Sequence, residues 1–126
     1  MPNTSSPILI ADAGSTKTDW AVLAPDGGVS LISTQGINPF MLSTDQIVSI
    51  LQTELLPGMP GSAPAAVYFY GAGCAGAGIS VVEEALCGLF PAAELHVSTY
   101  IYYILYTLAV LRRAALGQTY GAGSGA

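Results

Sequence analysis

Residues 7–23 have the sequence PILIADAGSTKTDWAVL, in which two short apolar runs flank a polar segment. The runs at 7–11 and 19–23 have the length and residue types of β-strands. The segment between them, 12–18, consists mainly of small and hydroxylated residues and contains one lysine. This pattern predicts a β-hairpin with a polar tip.

The sequence after the hairpin predicts one more strand and a loop. Pro25 and Asp26, followed by two glycines, form a strong turn signal, and a third strand is predicted at 29–34. Residues 36–40 are expected to form a loop, because Pro39 disfavours a helical backbone at the residue before it. The first part of the chain therefore predicts an antiparallel meander of three strands.

Helices and strands alternate after the meander. The spacing of apolar residues predicts a helix at 44–56, with Ser43 or Thr44 as its cap and Pro57 followed by Gly58 as its end. The later predicted elements are a strand at 65–70, a glycine-rich turn at 71–76, a helix at 79–89 and a strand at 95–97. This order predicts an α/β domain with a mixed sheet.

The composition limits the classes of protein that the chain can belong to. Its 126 residues correspond to one domain, 9% of them are charged, 52% are hydrophobic, and the mean hydropathy is +0.55. We therefore expect part of the surface to be covered by a partner, another lobe or lipid. The net charge of −5, with three basic residues, argues against nucleic-acid binding, and the apolar content excludes intrinsic disorder.

Three further features of the sequence suggest no chemistry of their own. The N-terminus lacks the basic region of an export signal, so a cytoplasmic protein is expected. Cys74 and Cys87 have no metal-type spacing and are expected to be small buried apolar side chains. His96 has no partner at motif spacing and is expected to be structural.

Residues 100–111 form an uncharged segment that is followed by Arg112 and Arg113. A bilayer span needs about 18 or more apolar residues, so this shorter run disfavours a membrane segment. A buried or interface helix is the simplest interpretation, although its four tyrosines and two isoleucines would also suit a strand. We expect this segment to cause self-association or to be covered by a partner.

Two glycine-rich turns are candidate phosphate sites, and the second one has the weaker pattern. Gly71, Gly73 and Gly76 match the spacing of a dinucleotide fingerprint between a strand and a helix. That fingerprint normally has an acid at the end of the next strand, about 20 residues on, whereas Glu94 precedes the next strand here. A simple tight turn is the main interpretation, and a dinucleotide-binding fragment is the alternative.

The first turn, at 12–18, combines backbone amides, hydroxyls and one cation. Ser15, Thr16 and Lys17 can donate to phosphate oxygens, and Asp12 can hold Mg²⁺ directly or through water. The turn is not a Walker A loop, because the required Gly-Lys pair and the following helix are missing. An ordinary polar hairpin with a solvated lysine is the alternative interpretation.

The segment DAGSTKTDW at 12–20 resembles the first phosphate loop of the BadF/BadG/BcrA/BcrD ATPase family, in its N-acetylglucosamine/glucosamine kinase-like branch. The segments STQGINPF at 33–40 and VYFYGAGC at 67–74 add to the resemblance, which covers residues 7 to about 98. It implies the ribonuclease-H-like fold of the hexokinase–actin superfamily, in which nucleotide and sugar lie between two lobes.

The resemblance also implies roles for individual residues. Asp12 is implied as the magnesium-linked acid, and Asn38 as the contact to the sugar hydroxyls. For Asn38, an ordinary turn residue before proline is the alternative. The residues implied to surround the β- and γ-phosphates of ATP are Gly14, Ser15, Thr16, Lys17 and Thr18.

The chain departs from the family pattern after residue 98. The family places a general-base aspartate at about the position of Tyr100, whereas no carboxylate occurs from Val97 to the C-terminus. Tyrosine, with an unperturbed pKa of about 10, cannot replace that base near neutral pH. We expect residues 1–98 to be an N-terminal nucleotide-binding lobe and 99–126 a divergent apolar helix with a glycine-rich tail, the second lobe being absent.

The expected function is therefore that of the N-terminal lobe of an ATP-dependent amino-sugar kinase. Such a lobe binds the phosphates of ATP and Mg²⁺ and is expected to be inactive alone, so no catalytic residue is assigned. The alternatives are a non-catalytic interaction module that docks through residues 100–111 and the dinucleotide-binding fragment.

Overall fold

The computed structural model describes residues 6–71, residues 73–99 and residue 109. The predictions for Tyr100, for the segment 100–111 and for the glycine-rich tail lie outside these residues. The described part forms one mixed sheet with two α-helices, so the predicted α/β class is confirmed. None of its helices has the length and hydropathy that a bilayer crossing requires.

Five strands form the sheet in the order β3-β2-β1-β4-β5. They are β1 (Ile8–Ala13), β2 (Lys17–Leu23), β3 (Val29–Gln35), β4 (Ala66–Gly71) and β5 (Glu94–Ser98). The first three strands pair antiparallel, as the predicted meander requires, whereas β4 runs parallel to β1 and β5 parallel to β4. The carboxyl ends of β1, β4 and β5 therefore lie at the same end of the sheet as the tip of the hairpin.

The hairpin has longer strands and a shorter tip than the sequence predicts. The register places Asp12 opposite Asp19 and Ala13 opposite Thr18, so the tip is reduced to residues 14–16. The strands continue into the polar segment because the ladder is made by backbone groups, which every residue of that segment supplies.

The helix predicted at 44–56 is regular only in its first half. α1 (Thr44–Ile50) begins with a capping box, in which the Ser43 hydroxyl accepts from the backbone of Gln46 and the Gln46 side chain accepts from the backbone of Ser43. A wider π-helical turn (Leu51–Leu55) and a short 3₁₀ turn (Leu56–Gly58) follow. Because Pro57 cannot donate a backbone hydrogen bond, the regular α-pattern is not kept to the end of the segment.

The second helix, α2 (Ala77–Leu89), starts two residues earlier than predicted. It follows directly after Gly76, whose φ of +54° is a backbone conformation that favours glycine. Its buried positions are Gly78, Val82, Ala85 and Leu86. Cys87 lies outside this buried set and is exposed, so the expectation of a buried side chain there is wrong.

Both helices pack against one face of the sheet and form the main core. Trp20 and Phe69 lie there with ring centroids 5.8 Å apart, edge to face, and the Trp20 indole donates to the Thr34 hydroxyl at 3.1 Å. The largest aliphatic side chains of this core are Leu9, Ile37, Ile47, Leu51, Leu55 and Leu86. At about 1.5–3 kcal/mol for each large side chain that is fully buried, this face supplies most of the hydrophobic stabilisation.

The opposite face of the sheet has a smaller apolar group made of Ile10, Ala66 and Tyr68. The Tyr68 ring stacks on the imidazole of His96 with centroids 4.5 Å apart, and His96 Nε2 lies 2.9 Å from Glu94 Oε1. His96 therefore packs on the sheet, as expected of a structural histidine. The exposed polar residues of the segment 12–18 lie at the end of the sheet, near the hairpin tip.

Candidate functional site

The tip of the β1–β2 hairpin is held by the chain that follows β3. Gly14 N donates to Lys17 O at 2.8 Å and closes the tip. Gly36 N donates to Thr16 O at 3.1 Å, and Ile37 N donates to Gly14 O at 3.2 Å. The tip is therefore fixed on one side by backbone hydrogen bonds and is open to solvent on the other.

This close approach requires glycine at position 36. A Cβ built on Gly36 would lie 2.2 Å from Ser15 O and 2.7 Å from Gly14 O, far inside a normal contact. A Cβ on Gly14 would lie 3.0 Å from Lys17 O. Gly36 belongs to the second resembling segment, but its position against the tip becomes visible only from the strand register.

The exposed side of the tip concentrates hydrogen-bond donors. Ser15, Thr16 and Lys17 are exposed, and in the described part of the chain the backbone N–H groups of Ser15 and Thr16 have no acceptor. Lys17 Nζ lies 3.5 Å from Asp19 Oδ2, with both side chains more than half exposed. A surface ion pair of this kind contributes little free energy, so Lys17 can exchange Asp19 for another anion.

Two carboxylates stand side by side next to this tip. Asp12 at the end of β1 is the cross-strand neighbour of Asp19 in β2, and Tyr70 of β4 lies on its other side. Both carboxylates are exposed, but Asp19 accepts from the Ser33 hydroxyl at 3.3 Å and pairs with Lys17, whereas Asp12 makes no such contact with the described residues. Within the described residues, no group of three or more His, Cys, Asp or Glu side chains could enclose a metal ion. An exposed carboxylate such as Asp12 fits a hydrated Mg²⁺ that a phosphate chain shares.

Thr18 is separated from the other residues of the predicted phosphate loop. It is fully buried, and its hydroxyl has no hydrogen-bond partner among the described residues. Its register position between Ala13 and Thr34 puts it within the sheet, where its backbone is part of the ladder. Thr18 therefore anchors the tip in the sheet, and its hydroxyl is not among the donors that the tip exposes to solvent.

Asn38 lies in the loop after β3 and is held by its own turn. Its Oδ1 accepts from Phe40 N at 2.9 Å, and its carbonyl oxygen accepts from Met41 N and Leu42 N at 2.9 and 3.0 Å. A Cβ on Gly73 would lie 2.6 Å from that same Oδ1, so this loop and the second glycine turn are in close contact. The side-chain oxygen of Asn38 is thus occupied, and its amide nitrogen is the end that can reach a ligand.

A cavity of about 320 Å³ lies beside the second glycine turn. It is lined by residues 74–76 and Ile79 at the start of α2 and by residues 97–99 at the end of β5. In sheets of this class, ligands bind outside the carboxyl ends of parallel strands, which is where this cavity is found. Burial raises the pKa of the Cys74 thiol to about 11, so this lining residue is a neutral thiol near pH 7.

Close packing explains Gly73 of the second turn and Gly78 at the start of α2, whereas Gly76 is explained by its positive φ. Gly73 faces Asn38 and Pro39, and a Cβ on Gly78 would lie 2.2 Å from Gly73 O. Glu94 begins β5 and pairs with His96, so it is not the acid at the strand end that a dinucleotide site requires. The close contacts at Gly73 and Gly78 bring α2 and the Asn38 loop together.

The structure adds residues that the sequence did not single out as part of the site. Asp19, Ser33 and Gly36 surround the tip, and Gly73 sets the position of Asn38. Only the pairing of β1, β2 and β3 brings Asp19 and Ser33 together, since they are 14 positions apart. The signal available in the sequence was the DAGSTKTDW segment itself, whose second aspartate is Asp19.

Comparison with solved structures relates the chain to a known protein. Scans against models of protein families and against curated proteins found no match. Among solved structures, the chain is similar to a crystal structure from Porphyromonas gingivalis described as a "Putative N-acetylglucosamine Kinase". The two are 43% identical with a TM-score of 0.64, over 72% of this chain and 33% of that chain. The chain thus spans about a third of the length of this neighbour, and the described residues share its fold over the matched region.

Proposed function

We propose that this chain is the nucleotide-binding lobe of an ATP-dependent amino-sugar kinase of the BadF/BadG/BcrA/BcrD type, with a ribonuclease-H-like fold. The observation that carries the proposal is the hairpin tip, where backbone hydrogen bonds from residues 36 and 37 hold an exposed set of donors in place. The likeness to the kinase of P. gingivalis supports the same assignment. The strand order, with one helix after β3 and one after β4, supports the fold class.

The tip would bind the β- and γ-phosphates of ATP. Ser15 and Thr16 would donate through backbone N–H and hydroxyl groups, and Lys17 would add a positive charge after leaving Asp19. Gly14 and Gly36 allow this backbone path, and Thr18 holds the tip on the core. Phosphoryl transfer depends mostly on such positioning and charge neutralisation.

Asp12 would link the lobe to magnesium. Mg²⁺ keeps much of its water shell in such sites and neutralises charge on the phosphates when bound. A single exposed carboxylate beside the tip would fit that role, because Mg²⁺ is usually bound through one or two carboxylates together with substrate phosphates and water. Asp19, the cross-strand neighbour of Asp12, would add negative charge once Lys17 has turned to the phosphates.

Asn38 would contact the sugar hydroxyls through its amide nitrogen. Its loop lies against the second glycine turn, and that turn borders the cavity at the ends of β4 and β5. The sugar would therefore approach from the carboxyl end of the parallel strands. The phosphates would lie at the same end of the sheet, next to the hairpin tip.

Phosphoryl transfer by this chain alone should be negligible. No carboxylate follows Glu94 in the sequence, and Glu94 itself begins β5, at the far end of that strand from the cavity. A sugar hydroxyl bound near residues 97–99 would have no general base at the expected position. We expect this chain to bind MgATP weakly, with a dissociation constant of about 1 mM, because it spans only about a third of the length of the structure that it resembles.

Calorimetric titration tests this proposal with matched variants. MgATP is titrated into the parent, Thr16→Ala, Lys17→Ala and the control Met41→Ala, which changes an exposed side chain outside the segment 12–18. We expect weaker binding for the two tip variants and an unchanged affinity for the control. Equal affinities for all four proteins would contradict the proposal, and tighter binding of NAD than of MgATP would favour the dinucleotide alternative.

A further inference from the structure

The outer strand β3 has an open edge with an unusual lack of charge. It ends the sheet in the described part of the chain, and most of its residues are exposed. No charged residue occurs from Gly27 to Thr44. Edge strands usually carry charges or proline that prevent pairing with another chain, so this edge lacks the common protection.

The hydrogen bonds at the end of β3 show which of its backbone groups point outward. Gly36 N donates inward to Thr16 O, whereas Gln35 N donates outward to Glu54 Oε1 at 2.8 Å. Because the direction alternates along an antiparallel strand, Val29, Leu31 and Ser33 also direct N–H and C=O away from β2. No partner for these groups exists among the described residues.

The side chains of the same three residues make this edge self-complementary. They lie on the face away from the helices, where Leu31 is 80% exposed and Val29 is 47% exposed. If two copies pair antiparallel about Leu31, then Leu31 meets Leu31 of the second copy and Val29 meets Ser33. In this register the outward N–H and C=O groups of all three residues form hydrogen bonds with the second copy. A pairing centred on Ile32 would instead place Val29 opposite Gln35 and would need the Gln35 N–H, which already donates to Glu54.

We propose that the edge of β3 is the contact of a twofold dimer, in which residues 29–33 of two copies pair antiparallel and join their sheets. The occupant is a second copy of this chain, because the uncharged strand offers no charge for a distinct ligand and pairs with itself in register. In the described sheet the other edge strand, β5, carries Glu94 and His96, so β3 is the edge that pairs with a copy of itself, and a twofold contact of this kind closes at two copies. A two-stranded seam is smaller than a standard interface, and we expect a dissociation constant of about 10–100 µM.

Sedimentation equilibrium over a concentration series tests the dimer. The parent is compared with Leu31→Lys and with the control Met41→Lys, which alters an equally exposed apolar residue outside the strand. We expect a concentration-dependent dimer for the parent and the control, and at least tenfold weaker association for Leu31→Lys. A parent that stays monomeric at several hundred micromolar, an unchanged Leu31→Lys dimer, or assemblies that grow beyond two copies would each overturn the proposal.

Cross-linking gives a second readout that does not depend on a disruptive substitution. Directly opposed residues of a hydrogen-bonded antiparallel pair have Cα atoms about 5.5 Å apart, within the range of a disulfide. In a Cys87→Ser background, which removes the exposed thiol, Leu31→Cys should form a covalent dimer on mild oxidation. Met41→Cys serves as the control. Equal cross-linking at the two positions would contradict the proposed register.

Discussion

The two turns that contain glycine differ in composition and in physical role: the turn at 12–18 has one glycine among mostly polar residues, whereas the turn at 71–76 has three glycines among alanine and cysteine. At the first turn, Gly36 lets the chain after β3 approach Ser15, and the tip that it supports faces solvent with Ser15, Thr16 and Lys17 exposed. At the second turn, Gly73 and the adjacent Gly78 of α2 let α2 and the Asn38 loop pack together, and both are buried. A glycine at a close backbone contact can therefore support a binding loop or simply allow two segments to pack. The first turn differs from the second in that exposed hydrogen-bond donors lie beside its glycine.

The largest effect is expected at the first turn, from Gly36→Ala. The added Cβ would lie 2.2 Å from Ser15 O, a backbone atom that cannot rotate away. We expect a loss of about 2–4 kcal/mol in the free energy of unfolding, together with loss of MgATP binding. Urea denaturation, monitored by the fluorescence of Trp20, measures the change in the free energy of unfolding. Gly61→Ala, where a Cβ meets nothing within 4 Å, is the control and should change stability by less than about 0.5 kcal/mol.

Replacing Gly78, which lies in α2 against the second turn, by alanine should lower the stability of the protein and leave its affinity for MgATP unchanged. Alanine favours a helix over glycine by about 1 kcal/mol, which offsets part of the contact with Gly73 O. We expect a net loss of about 1–2 kcal/mol in stability. The affinity for MgATP, measured under conditions where the variant is folded, should equal that of the parent. A loss of affinity comparable to that of Gly36→Ala would remove the distinction between the turns.

Substitution of an exposed donor in the first turn should lower the affinity for MgATP and leave the stability nearly unchanged. Lys17→Ala removes a charge whose partner is a surface carboxylate, so we expect a stability change below about 0.5 kcal/mol. Its affinity for MgATP should fall about tenfold, which corresponds to about 1.4 kcal/mol. Thermal unfolding and calorimetry on the same preparation test both statements. A marked loss of stability with unchanged affinity would assign Lys17 a structural role.

The smallest effects are expected where the two turns meet, at Asn38. Asn38→Asp keeps an oxygen that can accept from Phe40 N, and its stability should stay within about 0.5 kcal/mol of the parent. Asn38→Ala loses that hydrogen bond and should cost about 1 kcal/mol. Chemical denaturation of the three proteins gives the ranking. If the alanine variant equals the parent, the turn is not held by Asn38 Oδ1.

Much of the architecture could be predicted from local signals. Turn residues at 25–28, the Ser43 cap and the buried run at 65–70 each indicate one element, and their order gives the mixed sheet. The element boundaries that were predicted wrongly depend on contacts between residues distant in sequence. The extension of the hairpin to Ala13 and Lys17 needs strand pairing, and the π-helical turn at Leu51–Leu55 depends on how that segment packs and ends.

Less of the site than of the fold could be predicted, because a sequence motif identifies residues but does not show which residues surround them in the structure. The segment at 12–18 contains the exposed donors, but nothing local indicates that Thr18 is buried or that Gly36 supports the tip. For the second turn, the sequence favoured a simple tight turn over a dinucleotide site, but it did not indicate that Gly73 packs against Asn38 and Pro39. Contacts between segments distant in sequence decide both cases.

Amide chemical shifts during a titration with MgATP test most directly whether the first turn is the phosphate site. We expect the largest perturbations at the backbone N–H groups of Ser15, Thr16 and Lys17, with much smaller ones at residues 73–79. The same titration on Lys17→Ala should require about tenfold more ligand for equal shifts. Perturbations centred on residues 73–79, with none at the hairpin tip, would contradict the account.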